Sequence, residues 1–335
     1  MNLDLLRELS EAHGVPGFED AVRGIVRREL EGLCEFETDV MGNLICRRAP
    51  TSGGPGARKL MLAAHMDEIG FVVKHVSDKG FLRVAPLGGW DPRQMASQRV
   101  KVHARGGALD GVLMESRKPK HMLQPNEGAK EPTIDDFFVD IGLSGEEAKA
   151  AVQVGDPVTM NRAFQTMGPL CTGKAMDDRV AVFVMIEAVK AARSLEVELY
   201  AVATVQEEVG LRGATASGWS IRPDAVVAID VTLANDIPGL PDELAVTRLG
   251  EGTAIKILDS SLICHPKMVR HFRDLAERHG IKHQTEVLPM GGTDAGGVQR
   301  LHGGIPAFTL SVPCRYVHTV NETVHRDDVQ ASIDL

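Results

Sequence analysis

The chain has 335 residues, 43% of them hydrophobic, with a formal net charge of −9. That apolar content suits one large core or two domains and excludes a disordered chain. The acidic balance excludes sequence-independent nucleic-acid binding, which needs a dense basic surface, and no apolar run reaches the roughly 18 residues that cross a bilayer. The N-terminus, MNLDLLRELSEAHG, carries Asp4, Glu8 and Glu11 where a signal peptide has basic residues, so a cytoplasmic protein is expected. Five cysteines (Cys34, Cys46, Cys171, Cys264, Cys314) form no CxxC or zinc-ribbon spacing and read as inert thiols of a reducing compartment.

In chain order, Leu5, Leu6 and Leu9 fall at helical spacing after Asn2 as the expected cap, and a second amphipathic run covers about Phe18 to Leu33. CEFETDV and LICRR flank Met41-Gly42-Asn43 as a hairpin, TSGGPG (Thr51 to Gly56) reads as a flexible loop, and KLMLAA suits a buried strand. From about residue 70 to 162 the texture changes to short β-prone runs, IGFVVKHV, GFLRVAPL, QRVKVHA, ALDGVLM and DPVTM, separated by Gly, Pro and Asp turns. The charged, Pro-containing stretch from about Lys118 to Asp136 is expected to be a mobile loop within this part. Strand-helix alternation then resumes with VAVFVMIEAVKAAR, VELYAVATV, AVVAID, AIKIL, a helix from about Pro266 to His279, and AFTLSV. The expected architecture is an α/β domain (1–69 and 163–335) interrupted by a small β domain (70–162).

Five segments place His, Asp or Glu at or near the ends of apolar runs. In AAHMDEIG, His65 and Asp67 alternate across a strand end, so both side chains can face one side, and a carboxylate on the second ring nitrogen makes an imidazole a good metal ligand. A single hydrogen-bonded histidine explains this motif equally well. GKAMDDRVAV sets Asp177 and Asp178 at a helix start, where acids are commonplace caps. In VATVQEEVGLRGA, Glu207 and Glu208 close an apolar strand, a costly place for two carboxylates unless a cation meets them. Asp230 ends the run VVAID, and His318 follows AFTLSVP in RYVHTVNE. Each alone has a bland structural explanation. Together, strand-end His and acids from separated segments are what a metal site in an open α/β sheet requires. His265, His271, His279 and His283 lack accompanying buried acids and read as surface residues.

The combination AHMDEIGF, the β insertion, KAMDDR, VQEEVGLRGA, AIDVT, GGTDAGG and RYVHTVNE resembles, over essentially the whole chain, the dinuclear-zinc aminopeptidase family. That family includes tetrahedral, glutamyl and deblocking aminopeptidases and proteins labelled endoglucanase M. The resemblance implies an α/β/α metallo-exopeptidase domain with an inserted β-barrel-like dimerisation domain, assembled as a homo-oligomer, with a dodecamer expected. It implies that His65, Asp177 and Asp230 hold one metal and Asp177, Glu208 and His318 the other, so that Asp177 bridges. It also implies that Glu207 is the general base and that Asp67 orients His65. Gly291-Gly292-Thr293-Asp294 matches a loop beside the family's substrate site. Two Zn2+ ions are expected, although Co2+ or Mn2+ suits the same ligands. The substrates implied are short peptides cleaved at the N-terminal residue, with a bridging water as nucleophile, and neither nucleic acid nor membrane is expected as a partner.

Two other enzymes remain open. A related metallo-hydrolase removing acyl groups from amino acids would use the same metal pair, and aminoacyl anilides against N-acyl amino acids separate the two. An endoglucanase needs two carboxyl groups about 5 to 10 Å apart, usually beside aromatic platforms, which two Trp and two Tyr scarcely supply. A metal-stabilised binding protein is the alternative that does no chemistry; a carboxylate such as Glu207 left beside the ligands argues against it.

Overall fold

The computed structural model describes residues 1–52, 56–118, 122 and 131–335. The chain divides into two compact units, Met1–Glu68 with Ala163–Leu335, and Ile69–Arg162. The first opens with α1 (Leu3–Glu11), whose first turn is capped by the Asn2 side chain accepting from the Leu5 amide, and α2 (Asp20–Glu29). The hairpin β1 (Glu35–Thr38) and β2 (Leu44–Arg48) follows, then β3 (Lys59–His65). Residues 53–55 of the expected TSGGPG loop lie outside the described residues.

The second unit holds β4 (Gly70–Val76), β5 (Leu82–Leu87), β6 (Gln98–Ala104), β7 (Gly107–Glu115), β8 (Phe137–Asp140), α3 (Gly145–Ala151) and β9 (Pro157–Met160). Its strands close into a barrel in the order β4-β5-β8-β7-β6-β9. Closure removes the free edges that a small sheet would otherwise expose. Trp90 stacks on Phe71 with ring centroids 4.8 Å apart and donates its indole N–H to the Gly70 carbonyl. Two elements of this unit escape the hydrophobic pattern: FFVD has only four residues, and the helix GEEAKAA has little apolar periodicity. A capping box between Ser144 and Glu147 starts that helix. Most of the expected loop between Lys118 and Asp136 (119–121 and 123–130) lies outside the described residues.

The chain returns to the first unit through β10 (Gln165–Met167), β11 (Leu170–Gly173), α4 (Met176–Ala191), β12 (Glu198–Thr204), α5 (Arg212–Ile221) and β13 (Ala225–Leu233). It finishes with β14 (Thr253–Leu258), α6 (Pro266–His279), β15 (His283–Val287), α7 (Asp294–Gln299), β16 (Ala307–Arg315), β17 (Glu322–His325) and α8 (Arg326–Asp334). Among the described residues these strands form an eleven-stranded sheet running β1-β2-β12-β3-β13-β16-β17-β11-β10, with β14 and β15 branching from β16. β12, β3, β13 and β16 are mutually parallel. Side-chain alternation feeds two cores: on β12, Ala201 and Ala203 join the core under α1, α2, α4 and α8, while Val202 joins that under α5, α6 and α7. The result is a three-layer α/β/α unit. The middle of α4, Val180 through Ile186, is apolar all round because it is buried all round and inaccessible to solvent.

Candidate metal centre

Register at the carboxyl ends of the parallel strands sets the site. His65, the last residue of β3, pairs with Thr204, the last of β12. Ala63 pairs with Ala228 of β13, which puts Asp230 two residues further along, level with His65. Asp230 is therefore interior to its strand rather than ending it, since β13 continues to Leu233. Glu207 and Glu208 lie beyond β12, in a loop that turns back on the strand: the Gly213 N–H reaches the Val205 carbonyl at 3.0 Å. A Cβ at Gly213 would lie 2.3 Å from both that carbonyl and Asn43 Oδ1, which explains the glycine of LRGA. Buried Asn43 ties the loop to the β1–β2 turn, accepting from the Val205 N–H and donating to the Gly213 and Asp39 oxygens.

The structure brings the seven expected site residues into one cluster. His65 Nε2 lies 3.2 Å from Asp177 Oδ1, and His318 Nε2 lies 3.4 Å from Asp177 Oδ2 and 3.4 Å from Glu208 Oε1. Asp177 thus offers one oxygen to each imidazole. Potential ligand atoms of His65, Asp177, Asp178 and Asp230 all lie within 4.8 Å of one another, as do those of Asp177, Glu208 and His318. Glu207 Oε2 is 3.9 Å from His65 Nε2. Asp178 joins the first group, which sequence reasoning did not anticipate; its Oδ2 accepts the His65 backbone N–H and its buried Oδ1 has no hydrogen-bond partner among the described residues.

The hydrogen bonds around the cluster differ from expectation at Asp67. His65 Nδ1 makes its hydrogen bond to the Asp67 backbone carbonyl at 3.0 Å, while the Asp67 carboxylate stands 3.6 Å away. A proton on Nδ1 leaves the Nε2 lone pair facing Asp177. The Asp67 carboxylate instead accepts the backbone N–H groups of Glu207 and Glu208, at 3.0 and 3.1 Å. Glu19, from the GVPGFED segment, accepts the preceding amide, that of Gln206.

Burial and mutual repulsion dominate the electrostatics. Burial raises the carboxyls of Asp178, Glu207 and Asp230 well above their ordinary range, with neighbouring acids adding to it. Glu208 is raised by burial against the opposing His318 hydrogen bond. For Asp177 burial also pushes upward, but bonds from both imidazoles win and hold it low. Burial disfavours charge on His65 and His318; the facing carboxylates prevail, raising His65 well above its ordinary value and His318 to about 12. Acids crowded until they retain protons, with an unpartnered carboxylate oxygen among them, form a cavity that calls for positive charge. Imidazole and carboxylate donors at this spacing fit divalent metal ions.

The family model described as M42 glutamyl aminopeptidase matches residues 42–335. The chain belongs to the M42 glutamyl aminopeptidase family. A second model, described as AMPT, matches residues 1–25. The chain is 32% identical over 332 residues to a glutamyl aminopeptidase of Lactococcus lactis, covering 97% of this chain and 92% of the relative. It is also 32% identical to a lysyl aminopeptidase of Pyrococcus furiosus, covering 99% and 94%. An aminopeptidase structure from Desulfurococcus kamchatkensis superposes with a TM-score of 0.93 at 39% identity, covering 98% of this chain and 91% of that one. The TET1 peptidase of Pyrococcus horikoshii, described as assembling into a tetrahedron or a large octahedral shell, gives 0.88 at 31% identity, covering 99% and 97%. As a member of this family the chain is a hydrolytic enzyme, an aminopeptidase.

Two features of this M42 aminopeptidase site are invisible in motif spacing. Glu322 is nearly inaccessible (2% exposed), and its carboxylate accepts the backbone N–H groups of Asp177 and His318. Its only sequence signal is the last letter of RYVHTVNE. Behind α4, Arg179 is wholly buried and donates to the carbonyls of Met66, Leu9, Ala12 and Gly14 and to Glu68; Lys174 pairs with both Glu68 oxygens at 2.7 Å. This cluster ties α1 and the turn after it to the start of α4, from which Asp177 projects. Asp294 of the GGTD loop is buried, accepts from the Thr204 hydroxyl, and is raised by burial to about 6. The histidines of and around α6 stay outside the cluster; His265 caps the helix by accepting the Lys267 N–H.

Proposed function

We propose that the enzyme removes the N-terminal residue of peptides at a dinuclear metal site. In this reading His65, Asp177 and Asp230 hold one divalent ion and Asp177, Glu208 and His318 the other. Asp178 is assigned to the His65 backbone. The observation that carries the proposal is the double engagement of Asp177, whose two oxygens face different imidazoles. Zinc is the proposed metal, with cobalt and manganese as substitutes for this ligand set. When bound, a divalent pair supplies the charge that acidifies water and polarises the scissile carbonyl.

The chain's own residues carry the proton. Glu207 sits beside the cluster outside both ligand sets, its Oε2 3.9 Å from His65 Nε2, where a carboxylate is placed to take a proton from water and pass it to the departing amine. Asp67 holds the amides of Glu207 and Glu208, so that base and ligand keep their separation. The Asp67 carbonyl fixes the His65 tautomer, with Nε2 directed inward.

We assign the closed barrel to assembly with further copies of the chain, ultimately a dodecamer. The assembling TET1 relative supports this, as do Phe81, Val112 and Met114, exposed on a small unit. Light scattering on the purified protein reads the assembly directly.

The functional test compares a peptide with a free N-terminus, its N-acetylated form, an N-acyl amino acid and a soluble cellulose. The expected result is cleavage of the free peptide alone, abolished by chelation and restored by zinc, cobalt or manganese. Comparable turnover of an acylated substrate or of cellulose contradicts the proposal.

A further inference from the structure

β17 begins at Glu322, between two ligand-bearing segments. In the sheet Glu322 stands opposite Gly173 of β11, four residues before Asp177, and in sequence it lies four residues after His318. One side chain therefore reaches both. Glu322 Oε2 accepts the Asp177 N–H at 2.9 Å and Oε1 accepts the His318 N–H at 2.7 Å. Both donors belong to irregular backbone: His318 has φ 61, Tyr316 φ 62, and Ala175, just before α4, φ 56. Left-handed backbone at non-glycine residues is strained and persists only where the surroundings enforce it.

A buried carboxyl group that takes one amide on each oxygen spans both segments at once, so neither donor can shift without losing its partner. Its rigidity passes directly to the two side chains that face each other, His318 Nε2 and Asp177 Oδ2, at 3.4 Å. Among the described residues no such single bracket links Asp177 to His65, whose backbone N–H is held by Asp178.

We propose that Glu322 is a positioning residue that presets the His318 and Asp177 half of the metal site, and so governs the affinity of one metal position more than the other. This rests on the ligand assignment proposed above. Outer partners of metal ligands typically control affinity by about 10- to 100-fold. Glutamine at this position is isosteric but offers one acceptor oxygen, so one of the two amides must lose its partner. Aspartate keeps the carboxyl group but is too short to span both donors.

The experiment measures zinc binding to the wild type, Glu322→Gln and Glu322→Asp by competition with a chromophoric chelator, beside amide hydrogen exchange of the metal-free proteins at Asp177 and His318. The expected result is two binding steps in the wild type. In both variants one step weakens by about 10-fold or more while the other moves far less, and exchange accelerates at one or both amides. If Glu322→Gln does not fold, Glu322→Asp carries the same comparison. A folded variant with both zinc steps within twofold of wild type and unchanged exchange overturns the inference. A wild type with a single zinc step overturns the dinuclear reading instead; the exchange measurement still decides whether Glu322 brackets the two segments.

Discussion

The Glu207 backbone N–H donates to Asp67 Oδ1 at 3.0 Å, and the adjoining Glu208 N–H donates to Oδ2 of the same carboxylate at 3.1 Å. One buried anion thereby fixes two neighbours whose side chains diverge, Glu208 toward His318 and Glu207 toward His65. The division of labour between adjacent glutamates is held by the backbone, leaving the carboxylates free for chemistry.

That division predicts an uncoupling of binding from turnover. Glu207→Gln preserves shape and leaves the proposed ligands intact, so metal content measured by elemental analysis is expected to match the wild type. kcat is expected to fall by about 100- to 10,000-fold, the usual contribution of a general base. Near-normal kcat in a metal-replete variant removes Glu207 from that role.

The paired aspartates are expected to behave differently. Asp178→Asn keeps an acceptor for the His65 N–H, so zinc affinity is expected to fall by no more than about 10-fold. Asp177→Asn loses charge where both ligand sets meet, and its loss is expected to be far larger. Chelator competition on the two variants ranks them, and a reversed order assigns the shared position to Asp178.

Metal-free protein is expected to lose stability as pH rises from about 5 to 8. In that window the unfolded chain has released its carboxyl protons. The folded protein retains them at Asp294, Glu19 and Glu322, which burial raises to about 6, 7 and 8. The folded state then binds more protons, so its stability falls as pH climbs. His65 and His318 act in the same direction, because a raised imidazole stabilises fully below its unfolded value and loses this above it. Asp177, held low, opposes them only in acid. Melting temperature followed against pH, with chelator and with zinc, is expected to slope downward in the first series and much less in the second. Parallel slopes contradict the electrostatic account.

Arg179 supports the site from behind. Arg179→Met leaves four carbonyls without its donors and Glu68 with Lys174 as its remaining cation among the described residues, and is expected to cost about 3–5 kcal/mol in denaturant unfolding. A loss under about 1 kcal/mol would mean that water replaces the guanidinium.

How much of this was legible in the sequence depends on how each residue works. The sheet strands show as apolar runs because parallel strands are buried on both faces, and Pro266, at the first position of its helix, marks where α6 begins. The ligand candidates show because His65, the Glu207–Glu208 pair and Asp230 interrupt or follow such runs. Glu322 does not show: a carboxylate that accepts backbone amides has no side-chain partner and no characteristic spacing. The same holds for Asp67, whose neighbour in the motif suggests a role at His65 while its carboxylate serves a loop 140 residues away. Arg179 reads as an ordinary charge beside two acids, because its partners are mostly carbonyls of α1 and the turn after it.

The central claim, that two metals meet at Asp177, is tested most directly by counting metal per chain while assaying aminopeptidase activity, in the wild type and in Asp177→Asn. The expected result is two divalent ions and full activity in the wild type, with both ions and activity lost together in the variant. Two ions retained by a folded Asp177→Asn, or full activity in wild-type protein stripped of metal, would contradict it.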